Sequence, residues 1–128
     1  MEISPGDTFL YKSPSDKMHL HIVVEKVISD DIVLCAFVSS VKPGKGYDRS
    51  CELNPGDSPF INKPSYVVYD KMRLYHASFI QRMIEQSEAI YKGKLSASIL
   101  KRVIDGALSS KMTAQTMKKY LIDSQTND

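Results

Sequence analysis

The hydrophobic period of this chain changes once, near Ala77, and that change limits the fold more than any single motif. Before it, apolar residues alternate or run in short blocks broken by Pro and Gly. After it, they recur every three or four residues. A period of two places side chains on alternate faces of a strand, whereas a period near 3.6 gathers them on one stripe of a helix. The chain therefore reads as α+β, mainly β: a small curled sheet or barrel over residues 1–76, and a helical extension of the same domain over 77–128. At 128 residues it has room for one domain and for a core without disulfides or metal.

Residues 8–12 follow a Pro5-Gly6-Asp7 turn and read as the first strand. Residues 19–28 come next, with Leu20, Ile22 and Val24 on one face and His19, His21, Val23 and Glu25 on the other. The Ser29-Asp30-Asp31 turn leads into 32–39, whose apolar run predicts a strand covered on both faces and paired antiparallel with the one before. Residues 41–47 hold two glycines and a proline and read as a loop; 50–53 read as a short strand. Three prolines keep 54–64 out of central sheet. Residues 65–70 and 72–76 are two more β-rich pieces, or one bent strand. Five or six short strands at this spacing predict a small curled sheet or barrel.

From Ala77 on, the stripe Phe79, Ile80, Met83, Ile84, Ile90 and Tyr91 predicts a helix that opens on a Ser78-x-x-Gln81 capping box and stops at Gly93. Leu95 and Ser96 open a second helix with Ile99, Leu100, Val103, Ile104, Ala107 and Leu108 inward. Thr113 caps a third, along which Met117, Tyr120 and Leu121 extend the stripe. The polar end, 124–128, is expected to fray. Residues 98–108 and 113–122 have the lengths of a DNA-binding helix-turn-helix, with Gln115, Thr116, Lys118 and Lys119 on its second helix. The intervening Ser109-Ser110-Lys111-Met112 lacks the small-residue pattern of that turn, so a helical pair packed on the barrel or on a partner is preferred.

Formal charge is +2, neither demanding nor excluding nucleic acid. It is uneven: nine Lys/Arg against ten Asp/Glu before Ala77, eight against five from there on. Cys35 and Cys51 lack zinc-site spacing and read as buried, reduced thiols, so no metal is expected. Glycine-rich dinucleotide motifs, a P-loop and a Gly-x-Ser-x-Gly elbow are absent from the sequence, and no cofactor is expected. No apolar run approaches the ~20 residues of a membrane helix. The first residues lack the basic and apolar regions of a secretory signal, so the expectation is a cytoplasmic protein without membrane contact.

Four pieces in order resemble the MazF/Kid/PemK family of toxin ribonucleases. They are Pro5-Gly6-Asp7-Thr8-Phe9-Leu10, the apolar His21-Ile22-Val23-Val24, the strand 33–40 ending in Ser39-Ser40, and Tyr69-Asp70-Lys71-Met72-Arg73. The resemblance implies an SH3-like barrel that cleaves single-stranded RNA without metal, a homodimer, and an antitoxin protein that covers the RNA groove. Two features depart from it. Lys17-Met18-His19-Leu20 stands where the family has an Arg-Pro, and the chain inserts 54–64 and adds helices.

Such cleavage needs a base for the 2′-hydroxyl proton, an acid for the 5′-leaving oxygen and cations on the phosphate. His19 and His21, two apart on one strand face, are the candidates for proton transfer. Asp70 is a candidate base or orienting group, and Arg73 is placed to fork onto the phosphate. Ser39 or Ser40 would donate to a non-bridging oxygen; Lys42 and Lys45, on the glycine-rich loop, would guide the RNA. Tyr47, Tyr66, Tyr69 and Tyr75 read as rim cover, with base stacking as the alternative. His76 reads as a neighbour of the first helix. The expected function is thus a MazF-like endoribonuclease leaving a 2′,3′-cyclic phosphate. The rival, which the missing Arg-Pro favours, is the same barrel as a non-catalytic module that binds protein or nucleic acid.

Overall fold

A computed structural model describes residues 1–12 and 16–126. Its strands are β1 (Asp7–Lys12), β2 (Met18–Lys26), β3 (Ile32–Ser40), β4 (Glu52–Leu53), β5 (Ser65–His76) and β6 (Ile90–Lys94). Helices α1 (Ala77–Glu85), α2 (Ala97–Ser109) and α3 (Gln115–Thr126) complete it. The strands form one antiparallel sheet in the order β4-β5-β3-β2-β1-β6, curled into a half-barrel.

The alternation in β2 and β3 sorts side chains onto two faces. Leu20, Ile22, Leu34, Ala36 and Val38 join Val67 and Tyr69 of β5 in the larger core, which Ile99, Val103 and Ala107 of α2 and Leu121 of α3 close. The two C-terminal helices thus pack on the sheet. The opposite face carries Phe9, Val23, Val33 and Cys35, and α1 covers it with Ala77 and Ile80. β3 is accordingly buried on both faces from Val33 to Val38.

Close approach of α2 to the sheet depends on Gly106. A Cβ there would collide with the Tyr69 hydroxyl, which donates to the Val103 carbonyl at 2.7 Å. Where β1 pairs with β6, Asp7, almost wholly buried, accepts from the Ser4 N–H at 2.8 Å and the Tyr91 hydroxyl at 2.8 Å, and pairs with Lys94 at 3.4 Å. A carboxylate with that many partners tolerates burial.

Three local expectations fail for identifiable reasons. The first helix does not run through Tyr91. It ends at Glu85 in a pair of reversed hydrogen bonds, Ser87 N–H to Ile84 C=O and Glu88 N–H to Met83 C=O, with Ser87 at φ 60°. Serine occupies the left-handed position where glycine would have signalled the stop. Residues 90–94 then extend along β1 as an edge strand.

The Ser78-Gln81 capping box does not form either. His76 takes the N-cap position without a side-chain bond, and Asp31, from the β2–β3 turn, accepts from the Ser78 N–H and hydroxyl, both at 3.0 Å. Those hydrogen bonds, with one from His76, hold the Asp31 carboxyl below its usual range. Thr113, lastly, does not cap α3. It is packed inward, and its Oγ1 has no partner among the described residues. The expected frayed end at 124–128 lies partly outside the described residues. Ser124, within them, is helical and donates to the Lys26 carbonyl at 2.9 Å.

Candidate functional site: a lysine-rimmed groove at the open end of the sheet

The face under α1 is not covered along its whole length. Beyond Cys35, β3 continues through Phe37 to Ser39, and β5 runs alongside with Val68 opposite Phe37 and Tyr66 opposite Ser39. Among the described residues, none from a helix lines the groove they border. They form one side of a groove of about 700 Å³ that also takes in His19, Ser40, Lys42 and Asp70. Lys17, Lys63 and Lys71 add three more ammonium groups, and Phe60 an apolar wall. Four lysines against one aspartate make the groove cationic.

Of the residues singled out from sequence, His19, Ser39, Ser40, Lys42 and Asp70 meet in this groove. His19 lies with its ring centroid 4.8 Å from that of Phe37. Burial, followed by the nearby charges of Lys17 and Lys42, lowers its pKa against a hydrogen bond to the Lys17 backbone that raises it. At neutral pH the ring is therefore mainly neutral, the form that accepts a proton.

His21, Arg73 and Lys45 are not part of it. His21 shares the face of His19 as expected, but one turn of the pleat further in it becomes core. It is 3% exposed, stacked on Phe9 at 5.2 Å and edge-on to Tyr11 at 5.8 Å, with Nδ1 at 3.0 Å from the His19 carbonyl oxygen. Burial pushes its pKa down to about 4. So placed, the ring is not available for proton transfer in the groove.

Arg73 is separated from Asp70 by a break in register. Cys35 faces Arg73 and Phe37 faces Val68, so four residues of β5 stand opposite Ala36 alone. The bulge thrusts Asp70 and Lys71 outward, while Tyr69 and Met72 turn into the larger core and Arg73 resumes the ladder opposite Cys35. Lys45 stays exposed on the glycine-rich turn, outside the groove.

Lys63, Lys71 and Phe60 were not foreseen. Lys71 is delivered by the bulge. Lys63 and Phe60 come from the 54–64 loop, which folds back so that Ile61 is buried in the larger core. No local spacing signals either event. Both cysteines are buried, and burial raises their thiol pKa values, so neither supplies a thiolate at neutral pH. Among the described residues no three His, Cys, Asp or Glu side chains are grouped to hold a metal ion, and no helix is long and apolar enough to cross a membrane. Compared with known protein families, curated proteins and solved structures, the chain finds a match in none of the three.

Proposed function

We propose that this chain is an SH3-like barrel of the MazF/Kid/PemK kind whose groove holds single-stranded RNA. The observation that carries the reading is the convergence of His19, Ser39, Ser40, Lys42 and Asp70 with Lys17, Lys63 and Lys71 around one groove walled by Phe37, Phe60 and Tyr66. Ammonium groups meet phosphates, and aromatic walls take bases that only a single strand presents. Under the same reading, an antitoxin would occupy the groove with an acidic segment in competition with RNA, and the family's homodimer is the expected assembly.

A second reading, the endoribonuclease, is favoured by His19, Ser39 and Ser40 lining the same groove. His19 would take the 2′-hydroxyl proton as that oxygen attacks phosphorus and the bond to the 5′-oxygen breaks, leaving a 2′,3′-cyclic phosphate. Ser39 or Ser40 would donate to a non-bridging oxygen, and Lys42 would offset its charge. With His21 in the core, the groove offers no second imidazole, so the leaving 5′-oxygen would take its proton from water. Binding is therefore the stronger expectation and cleavage the slower one.

The test is anisotropy of a labelled unstructured RNA with purified protein in excess EDTA, followed by end analysis of the RNA. Micromolar or tighter binding that falls with salt and with Lys42→Ala plus Lys63→Ala supports the groove. Equal affinity for double-stranded RNA, or no binding, rejects it. Cyclic-phosphate ends lost in His19→Ala would add the cleavage reading; intact RNA bound by both proteins would leave the binding module.

A further inference from the structure

Across β5 from the groove lies a second cavity of about 710 Å³, between the loop after β3 and the end of α2. The two cavities share Tyr66, Val68 and Asp70, so they are neighbouring stretches of one trough. The far stretch holds a stack of two rings, tilted 32° to each other, and a guanidinium. The Tyr66 and Tyr47 rings lie 4.9 Å apart, and the Arg49 guanidinium carbon sits 4.8 Å above the other ring's centroid, that of Tyr47.

This stack is held in place from three sides. Glu52 accepts from the Tyr47 hydroxyl at 3.3 Å and pairs with Arg49 at 3.6 Å. Between those two residues, Asp48 turns the other way and accepts from the Ser110 hydroxyl at 2.6 Å and from the Ser50 N–H and hydroxyl at 2.9 and 2.6 Å. The loop is thus tied to the end of α2. Although burial acts to raise it, the hydrogen bonds from Ser110 and Ser50 keep the Asp48 carboxyl below the usual range. A loop anchored in this way presents Tyr47 and Arg49 without further ordering on binding.

Charge follows the same line. The joined trough carries Lys17, Lys42, Lys63, Lys71, Arg49 and Lys111 against Asp48 and Asp70, which is 6 − 2 = +4, whereas the whole chain carries +2. The rest of the surface is therefore net negative, and the trough is where a polyanion is drawn. Cations interleaved with aromatic side chains suit a nucleotide chain, in which phosphates and bases alternate.

We infer that the Tyr66–Tyr47–Arg49 stack is a second base-binding platform, so that one RNA strand passes from the lysine groove over β5 and lays its next base on the exposed Arg49 guanidinium, which Tyr47 backs, with Lys111 against the phosphates. This rests on the RNA reading of the groove. The two are separable by length. A ladder of oligouridylates from about 4 to about 16 nucleotides is titrated into the wild type, into Tyr47→Leu with Arg49→Ala, and into Lys111→Ala, each first shown to be folded by circular dichroism.

The expected result is that wild-type affinity climbs in a second step once the oligonucleotide outgrows the first groove. Tyr47→Leu with Arg49→Ala keeps the affinity for the shortest oligomers and loses about tenfold or more for long ones, as the removal of one stacked base predicts. Tyr47→Phe, which keeps the ring, retains the second step. Long oligomers bound no tighter than short ones, or bound equally by wild type and variant, would overturn the platform and leave the groove standing. Absence of any binding by the wild type would remove both readings.

Discussion

The sheet face opposite α2 and α3 has two ends built from the same strands but put to different use. At one end Val23, Val33 and Cys35 are sealed under α1; at the other Phe37, Ser39, Tyr66 and His19 line an open groove. β3 is continuous through both, so the alternation of its side chains does not separate them. Length does. Helix α1 has nine residues, about 14 Å, and the nine residues of β3 extend about 30 Å. Even lying along the strand, the helix would cover about half of it. His21 marks the border: it has the chemistry of the open end and the surroundings of the sealed one. The lesson is that a histidine's strand face says less about its role than where the cover above it stops.

The sharpest way to break this contrast is to empty the sealed end. Phe9→Ala removes a ring that is 2% exposed and should cost about 3–5 kcal/mol of stability by urea denaturation. Under conditions where the variant is still folded, its affinity for RNA should equal that of the wild type. A folded variant with lost affinity would mean the two ends are not independent.

The border residue itself gives the next effect. His21 titrates near 6.5 unfolded and near 4 when buried, so the folded state disfavours its protonation. Stability from this group is intact above about pH 6.5 and drains as pH falls towards 4, by about 3 kcal/mol in total. His21→Phe should flatten that part of the stability profile between pH 7 and pH 4, while His19→Phe leaves most of it. An unchanged acid limb in His21→Phe would show that His21 is not sealed.

Two smaller effects bracket the comparison. Ile28, at the β2–β3 hairpin tip, holds φ 65° with its side chain 69% exposed, an unfavourable conformation for a β-branched residue. Ile28→Asn should raise stability by roughly 1 kcal/mol without touching RNA affinity, as seen in paired denaturation and binding curves. At the open end, Lys42→Ala with Lys63→Ala should change stability by less than about 0.5 kcal/mol. The same pair should lower the slope of log affinity against log salt by roughly 0.7 per lysine.

Much of the sheet was legible in the sequence. The alternation in β2 and the apolar run of β3 predicted their faces and their pairing, because the period of a strand is a local property. The opening of α2 at Leu95 and Ser96 was legible for the same reason, and there the Ser96 hydroxyl accepts from the Ile99 N–H three residues on. The first helix was overrun because its stop rests on Ser87 in the left-handed region, a conformation serine rarely advertises. Asp31 caps α1 from 47 residues away, so no window on the sequence contains both partners.

The site divides in the same manner. His19, Ser39, Ser40 and Lys42 sit at adjoining strand ends, and pairing of β2 with β3 brings them together as their spacing predicts. Asp70 and Arg73 are three apart in sequence, yet the bulge sends one to the groove and the other along the ladder. Lys63 and Phe60 arrive through a proline-rich loop whose course is set by burying Ile61. By itself, then, the sequence determined the strand-rich part, the helical part and the sorting of side chains onto two faces, since each follows from stereochemistry within a few residues. Only the tertiary structure decided that β6 completes the sheet through the partners of Asp7, that α1 leaves one end bare, and which cations surround it. Those outcomes depend on contacts between residues tens of positions apart, where burial and pairing outweigh local preference.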